Sequence, residues 1–257
     1  MSATGATPGA RIDLDGALNV RDLGGWATPR GPVAHGHFFR SDRLSALSGS
    51  DQDRLAALGI DTVVDLRYEA EVVADPSRLW PTVRRHLEIP MGGQLADQKS
   101  FIERVLDGEL DDITDADVAQ SYLDMLSTHA SELGRAVGGL LEGGPGLYHC
   151  TAGKDRTGLL TMLILQSVGV ADDDILTDFE LSNRYRAEVR IEQLRATFQD
   201  RGLDVERFRP ALSAPRPAMM AAMAWITEQH GSASRYLAAA GVEQPAERLA
   251  ARLLPPG

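Results

Sequence analysis

Short apolar runs at four places along the chain predict buried β-strands. The segment Ile60–Leu66 is mostly apolar and β-branched, which is typical of a strand buried on both faces. Three further segments, His37–Arg40, Arg85–Met91 and Gly146–His149, have the length and composition of strands. Because helical patterns lie between most of these segments, we expect one mostly parallel sheet.

Apolar residues at helical spacing fill much of the remaining chain. The segment Leu44–Leu58 predicts a turn and a helix with Ser48 as its N-cap. Helical spacing also dominates Ile102–Gly143, apart from one acidic loop, and Arg156–Val168 predicts a strongly apolar helix. The segment Ile175–Thr197 predicts either one long helix or two.

Together these elements predict an α/β fold with a central, mostly parallel sheet flanked by helices. The first ten residues are small and polar and predict a flexible tail, so residues 11–257 form the expected single domain. The glycine-rich segment Asn19–Pro32 predicts a loop that enters this domain. From about Asn183 the strand signals are few, and we expect residues 183–257 to form a helical cap or lid.

The composition narrows the class of protein and its partners. Hydrophobic residues make up 43% of the 257 positions and charged residues 25%, as in a folded globular protein. The 37 acidic residues exceed the 26 basic ones, so the net charge is −11 and we expect no nucleic-acid partner. The longest apolar run, Leu159–Val170, is too short and too interrupted to span a bilayer, so we expect no integral membrane contact.

Cysteine usage bears on the cellular compartment. Cys150 is the only cysteine, so an intrachain disulfide is impossible. The segment Met1–Ala10 lacks the basic start and apolar stretch of a signal peptide. Both features favour a reducing, cytoplasmic setting.

The segment Tyr148–Gly158, YHCTAGKDRTG, carries the chemistry. It predicts a strand that ends at Cys150, a tight loop through Gly153, and a helix that begins near Arg156. A loop at a helix N-terminus points backbone N–H groups inward and thereby forms an anion site. The helix dipole and Arg156 favour the thiolate, so we expect Cys150 to act as a nucleophile on a bound phosphate.

The neighbours of Cys150 suit this role. Arg156 is placed to bind two phosphate oxygens, and Thr157 can donate its hydroxyl to the sulfur. Arg at the sixth position after the only cysteine, followed by Thr, is an uncommon coincidence, which favours a nucleophile over a buried structural cysteine. The predicted phosphate-binding residues are Thr151, Ala152, Gly153, Lys154, Asp155 and Arg156.

The loop sequence HCTAGKDRTG resembles the phosphate-binding loop of cysteine-dependent phosphatases, and more narrowly that of the atypical bacterial tyrosine and phosphoinositide phosphatases. Four other segments resemble that family in the same order: Asn19–Gly25, Phe39–Asp42, Asp65–Arg67 and Leu181–Asn183. The resemblance spans the chain from about residue 12. It implies a tyrosine-phosphatase-like fold, a mechanism without a metal and, in some members, a helical lid.

The leaving oxygen needs a general acid, and the sequence offers more than one. In dual-specificity relatives an Asp follows a strand that ends in a Tyr-Pro or Ile-Pro pair, but here Glu88–Gln94 has glycines at that place. Asp97 is the nearest acid after them. We therefore prefer Asp155, as the resemblance also suggests, with a brace for the loop as its alternative role.

Six other polar residues are expected to support the site or the fold. Asp65 ends a predicted strand, and we expect it to serve the catalytic site by orienting Lys154 or Arg156, with capping of the next turn as its alternative role. Arg21 and Asp22 suggest a structural ion pair. For Arg40 and Ser41 we expect a place at the rim of the pocket, and for His149 hydrogen bonds that hold the loop and favour the thiolate.

These assignments predict a phosphoric monoester hydrolase that works through a cysteinyl-phosphate intermediate. The main hypothesis is a protein-tyrosine or dual-specificity phosphatase that also accepts phosphoinositides, for which Lys154 would add a charge at the loop. One alternative is a phosphatase of small molecules such as nucleotides or sugar phosphates, and another is a phosphate-binding module without activity. No cofactor is expected, and the histidines lack the spacing of metal ligands.

Overall fold

The computed structural model describes residues 7–92, 101–110 and 112–256, with the backbone alone for 101–103. Within these ranges, five strands form one sheet in the order β1–β2–β5–β3–β4. Strand β1 is antiparallel to β2, and every other neighbouring pair is parallel. The prediction of an α/β fold with a central, mostly parallel sheet is confirmed. The strands are β1 Arg21–Asp22, β2 Phe38–Ser41, β3 Thr62–Asp65, β4 Arg85–Glu88 and β5 Gly146–His149.

The register of the sheet decides where the chain places its chemistry. Strand β5 lies between β2 and β3, and all residues of the three strands are buried. His149 at the end of β5 is level with Ser41 on β2 and with Asp65 on β3. The carboxyl ends of these parallel strands therefore meet at one edge of the sheet, where ligand sites of α/β proteins lie. Cys150 is the next residue at that edge.

The helices agree with the hydrophobic pattern in most places. The helix α1 begins after the predicted N-cap Ser48, which forms a capping box with Asp51. A π-helical turn, Asn183–Ala187, separates α7 from α8 where one long helix or two were expected. The helices are α1 Gly49–Ala57, α2 Glu69–Ala74, α3 Phe101–Leu106, α4 Asp115–Thr128, α5 Ala130–Glu142, α6 Asp155–Ser167, α7 Asp172–Ser182, α8 Glu188–Gln199, α9 Arg209–Leu212, α10 Arg216–His230, α11 Ala233–Ala239 and α12 Pro245–Leu253, with a 3₁₀ turn at Val205–Phe208.

Both faces of the sheet are covered. Successive side chains of a strand point to opposite faces, so Val64 and Tyr148 join one core cluster while Val63 and Leu147 join another. The first cluster includes α4, α5, α6 and α10–α12, and the second includes α1 through Leu55. Helix α6 is buried along nearly its whole length, because it lies in the larger cluster.

Only part of the predicted cap, residues 183–257, is separate from the main core. Helices α10, α11 and α12 are part of the main core, where Ile226, Leu237 and Leu249 are fully buried. They are therefore not a separate cap. Helix α8 and the 3₁₀ turn instead form a small core of their own with α3, composed of Val105, Ile191, Leu194, Phe198, Val205 and Phe208.

The prediction of a flexible tail over residues 1–10 is wrong for residues 7–10, and residues 1–6 lie outside the described residues. Gly9 is buried, and its carbonyl accepts a hydrogen bond of 2.9 Å from the Tyr185 hydroxyl. A Cβ at Gly9 would lie 2.3 Å from a methyl carbon of Leu181. Residues 7–10 therefore pack on the domain, and glycine suits position 9 because its φ of +69° lies in the left-handed region.

Candidate active site

Cys150 lies in a loop between the central strand β5 and the amino end of α6. Its side chain is 1% exposed, and the Thr157 hydroxyl donates a hydrogen bond of 3.2 Å to Sγ. Thr157 is in the first turn of α6, so the helix that begins the anion site also supplies this donor. The strand, loop and helix predicted around Cys150 are all present.

The backbone of the loop turns its carbonyl groups outward. The Gly153 carbonyl accepts hydrogen bonds from Asn19 Nδ2 at 2.9 Å and from Arg40 Nη2 at 2.8 Å. The Thr151 carbonyl accepts from the Arg43 N–H at 3.3 Å. Among the described residues, no acceptor contacts the N–H groups of residues 151–154. The loop therefore offers a set of free donors beside Cys150, which is the property of an anion site.

Gly153 is required by the conformation of the loop. Its φ is +62°, in the left-handed region that favours glycine. A Cβ at this position would lie 2.5 Å from the Ser41 carbonyl oxygen, so the loop packs directly on the end of β2.

A buried ionic network holds the loop from behind. Asp178 on α7 is fully buried and accepts from Arg21 Nε at 2.9 Å and from Arg40 Nη1 at 2.5 Å. Burial alone would raise the pKa of Asp178, but the two arginines outweigh it and lower that pKa. Asn19 accepts from Arg21 at 2.6 Å and donates to Gly153, so the network ends on the loop.

This network corrects two expectations. Arg21 pairs with Asp178 rather than with Asp22, whose carboxylate accepts from the N–H groups of Gly24 and Gly36 at 2.7 Å each. Arg40 and the neighbouring Ser41 are fully buried behind the loop and do not lie at its rim.

Arg156 is held by a glutamate that the sequence analysis did not single out. Glu71 on α2 accepts from Nη1 at 2.6 Å and from Nη2 at 2.9 Å. The Arg156 guanidinium carbon also lies 4.6 Å from the centre of the Tyr68 ring. Burial alone would lower the pKa of Arg156. The hydrogen bond to Glu71 and the charges of Cys150 and Glu71 outweigh burial and raise that pKa, so the guanidinium stays charged.

Asp155 is the first residue of α6, and its side chain is 32% exposed. The Tyr122 hydroxyl donates a hydrogen bond of 2.6 Å to Oδ1, and Lys154 Nζ lies 3.3 Å from the same oxygen. Burial and the charge of Asp155 raise the pKa of Tyr122 well above its usual value, so Tyr122 remains a donor. The other predicted acid, Asp97, lies outside the described residues.

Lys154 points toward the C-terminal helices. Its Nζ donates to the carbonyls of Ala211 at 2.6 Å and Ser213 at 2.5 Å, at the end of α9. The residue is 4% exposed, and burial lowers the pKa of the ammonium group despite the nearby Asp155. The side chain therefore joins the phosphate loop to α9, whereas we expected it to add a charge at the loop's mouth.

Asp65 does not contact Lys154 or Arg156, which corrects that expectation. Its carboxylate accepts from the Arg67 backbone N–H at 3.0 Å and from Arg67 Nη2 at 2.7 Å, so it caps the turn after β3. His149 lies between Asp65 and the loop: Nε2 is 3.5 Å from Asp65 Oδ2, and Nδ1 is 3.3 Å from the Cys150 carbonyl. Burial lowers the pKa of His149 to about 4, so the ring is neutral and supplies no charge to the thiolate.

Four neighbours of the site lie outside the segment that carries Cys150. Glu71, Tyr68 and Tyr122 contact the loop or the first turn of α6, and Asp178 acts on the loop through Arg40. The fold alone brings these residues to the site. The sequence does place Glu71 just after the end of β3, at the edge where parallel strands bring functional groups together. That position is the one signal by which it could have been found.

The described residues offer neither a metal-binding cluster nor a helix that could span a membrane. In the part of the chain that the structure describes, no three His, Cys, Asp or Glu side chains come together in a way that could hold a metal ion. Within the same ranges, no helix combines the length and apolar character needed to cross a membrane.

Comparison with known sequences identifies the family. A model of the tyrosine phosphatase family matches residues 12–255. A Cupriavidus necator protein assigned as a tyrosine-protein phosphatase is 31% identical over 231 residues, which cover 88% of this chain and 82% of the relative. The triple specificity protein phosphatase PtpB of Mycobacterium tuberculosis is 30% identical over 264 residues, which cover 90% of this chain and 94% of PtpB.

Comparison with solved structures finds P. aeruginosa TpbA, at 20% identity over 69% of this chain and 86% of TpbA. The TM-score of 0.29 is too low to support an argument about this molecule. The sequence match is different, because it spans almost every residue from the first core segment to the last helix. The resemblance inferred from the Cys150 loop is thus confirmed, and the chain belongs to the tyrosine phosphatase family.

Proposed function

We propose that the protein is a phosphoric monoester hydrolase that removes phosphate from phosphotyrosine, or with dual specificity from phosphotyrosine and phosphoserine or phosphothreonine, in protein substrates. One observation carries the proposal: the Cys150 sulfur accepts from Thr157 inside a loop whose N–H groups at 151–154 have no acceptor among the described residues. Such a site binds a phosphate dianion next to a nucleophilic sulfur. The names of the relatives, a tyrosine-protein phosphatase and a triple specificity phosphatase, support the substrate class.

The first step transfers phosphate to sulfur. The Cys150 thiolate attacks phosphorus, the bond between phosphorus and the ester oxygen breaks, and that oxygen leaves with the electron pair. Arg156 and the loop N–H groups stabilise the charge on the equatorial oxygens. Asp155, protonated at Oδ2, gives its proton to the leaving oxygen. Tyr122 supports this role, because it occupies Oδ1 and leaves Oδ2 for the substrate.

The second step returns the enzyme to its starting state. Asp155, now a carboxylate, takes a proton from a water molecule whose oxygen attacks phosphorus. The bond between phosphorus and sulfur breaks, and the sulfur leaves as a thiolate. The hydrogen bond of 3.2 Å from Thr157 stabilises that thiolate and so helps it leave. Inorganic phosphate is released, and Asp155 is protonated again.

The proposal also covers further substrate classes, the cellular compartment and the extent of the catalytic domain. Phosphoinositides are a further substrate class, and a small-molecule phosphate monoester is the alternative to a protein substrate. The free, buried thiol fits a reducing compartment, so we place the enzyme in the cytoplasm. Residues 11–257 are proposed to act as one catalytic domain.

The test compares initial rates on phosphotyrosine peptide, phosphoserine peptide, inositol phosphates and nucleotides, with EDTA present throughout. We expect phosphotyrosine peptide to be hydrolysed fastest and EDTA to leave its rate unchanged, because the loop and Arg156 supply the positive charge. The Cys150→Ser variant is the control and should lose turnover of every substrate. Turnover that requires added magnesium or zinc, or that survives in Cys150→Ser, would refute the proposal, and a nucleotide or sugar phosphate as the best substrate would favour the alternative.

A further inference from the structure

Three arginines gather beside the phosphate loop. The backbone N–H of Arg43 donates a hydrogen bond of 3.3 Å to the Thr151 carbonyl, so Arg43 begins at the loop itself. Arg186 lies in the π-helical turn, and Arg190 follows it by four positions in the first turn of α8, so the two are neighbours along the helix. The charges of Arg186 and Arg43 both lower the pKa of Arg190, which means that the three guanidinium groups lie within range of one another.

Two carboxylates pair with this group of arginines. Arg186 Nε lies 3.4 Å from Oδ2 of Asp42, a buried carboxylate that also accepts hydrogen bonds from two backbone N–H groups. Arg43 Nη1 lies 3.4 Å from Oδ2 of Asp75, and these two side chains are 48% and 42% exposed. Water screens an ion pair as exposed as that one, so a ligand can replace Asp75 at little cost.

Arg190 has no acidic partner among the described residues. Its side chain is half-buried, and its pKa is lowered first by burial and then by the two neighbouring arginines, with no acid to oppose them. Three arginines therefore face two carboxylates, which leaves one positive charge in excess in a chain whose net charge is −11. A half-buried guanidinium group beside two like charges is stabilised when an anion binds to it.

The excess charge lies at the catalytic site. Arg186 is close enough to Lys154 of the phosphate loop to lower the pKa of that ammonium group. Arg43 reaches Asp75, just past the end of α2, the helix whose Glu71 contacts the loop. The three arginines therefore lie between the loop, α2 and α8. A substrate that delivers its phosphate to the loop passes within their reach.

We propose that Arg43, Arg186 and Arg190 form a subsite for an acidic side chain that neighbours the phosphotyrosine of a protein substrate. This inference rests on the proposed function and names a preference within its substrate class. A carboxylate can bind a guanidinium group through two parallel hydrogen bonds, and its single negative charge equals the excess charge of the subsite. The net charge of −11 opposes approach to an anionic membrane, so the observations favour a peptide over a lipid headgroup.

The test compares two phosphotyrosine peptides that differ only in the residues beside the phosphotyrosine, which are glutamate in one peptide and glutamine in the other. The measured quantity is the ratio of kcat/KM for the acidic peptide to kcat/KM for the neutral one. In the wild type at low salt we expect a ratio of about ten, from one charge-assisted contact that is partly exposed. The ratio should fall as salt is raised, because salt screens such a contact.

Arg190→Gln should remove most of this preference. Arg184→Gln is the matched control, because it removes the same charge from an exposed side chain of the adjoining π-helical turn, and it should keep the ratio of the wild type. Arg190→Glu should prefer a third peptide, with lysine beside the phosphotyrosine, over the glutamate peptide, a reversal that a merely structural role would not produce. The melting temperature of each variant identifies one that fails to fold, and Arg43→Gln then takes its place.

The outcomes separate this inference from the proposed function. A wild type that hydrolyses none of the peptides contradicts the proposed function itself. An active wild type with equal kcat/KM on the acidic and neutral peptides overturns the inference alone, as does a preference that Arg190→Gln and Arg184→Gln reduce equally. An inositol bisphosphate and an inositol monophosphate are measured in the same way. A preference for the bisphosphate that Arg190→Gln removes, without any preference between the peptides, would overturn the inference and assign the subsite to a second phosphate.

Discussion

At the scale of single residues, the hydrogen bond from Tyr122 decides which oxygen of the Asp155 carboxyl group can carry a proton. Tyr122 donates to Oδ1 and is fully buried, so its hydroxyl cannot turn to water instead. Its ring also packs edge-on against Phe179, with centroids 6.2 Å apart, which fixes the direction of the hydroxyl. An acid held in this way presents Oδ2 to the leaving oxygen in one orientation.

Asp155→Asn should harm poor leaving groups most. We expect turnover of phenyl phosphate to fall by about a hundredfold or more, because the leaving oxygen then departs without a proton. Turnover of para-nitrophenyl phosphate should fall much less, since its leaving group is stable as an anion. The two rates are compared at saturating substrate across pH. Equal losses on both substrates would show that Asp155 is only a brace for the loop.

Tyr122→Phe should produce a weaker form of the same pattern. The variant keeps the ring and its packing on Phe179 but removes the donor to Asp155. We expect kcat on phenyl phosphate to fall by roughly tenfold, the cost of one lost hydrogen bond, with little change on para-nitrophenyl phosphate. The combination with Asp155→Asn should cost no more than Asp155→Asn alone. Additive losses would mean that Tyr122 acts elsewhere.

The sequence predicts the residues of this site only where they lie close together along the chain. Cys150, Arg156 and Thr157 fall within one strand, loop and helix, so their spacing fixes their geometry. Glu71 lies 85 positions from Arg156, and their contact depends on how β3 and β5 pair in the sheet. The prediction for Asp65 failed for a different reason. Its position at the end of a strand was correct, but its side chain points toward Arg67 and not toward Lys154 or Arg156.

At the scale of elements, the loop is rigid because strand, helix and network all hold its carbonyls. Arg40 on β2 and Asn19 before β1 both donate to Gly153, and Asp178 on α7 pairs with both Arg40 and Arg21. Two of the four segments that resemble the family, Asn19–Gly25 and Phe39–Asp42, supply these donors to the loop. The pairing of those segments could not be predicted, because buried charges find partners through the fold and not through sequence distance.

Gly153→Ala tests this rigidity against a matched glycine. A Cβ at 153 would lie 2.5 Å from the Ser41 carbonyl at a φ of +62°, so the loop must shift and its N–H groups leave their places. We expect kcat to fall by about a hundredfold, as for other misplaced sites. Gly138→Ala on α5 meets nothing within 4 Å and should keep full activity with equal or higher stability. Retained activity in Gly153→Ala would contradict the packing of loop on strand.

At the scale of the whole molecule, buried titratable groups at the sheet edge make stability depend on pH. Burial lowers the pKa of His149 from 6.5 to about 4. Between these two pH values, the histidine is therefore protonated in the unfolded chain and neutral in the folded one. This contribution to stability is complete above pH 6.5 and is lost as pH falls toward 4. The lowered pKa values of Asp178 and Glu71 act in the same direction at lower pH.

Denaturant unfolding at several pH values checks this dependence. We expect the free energy of unfolding to fall between pH 6.5 and 4, with His149 contributing at most about 3 kcal/mol. His149→Gln should flatten the curve in that window. Equal slopes in the wild type and His149→Gln would show that His149 is not kept neutral by the fold.

The central claim is that Cys150 carries the phosphate between substrate and water, and trapping that intermediate tests it most directly. The enzyme is mixed with excess phosphotyrosine peptide, quenched in acid within the first turnovers, digested and analysed by mass spectrometry. We predict one added phosphate on the peptide that contains Cys150, and neither label nor turnover in Cys150→Ser. Steady turnover without label on Cys150, or turnover that persists in Cys150→Ser, would contradict the account.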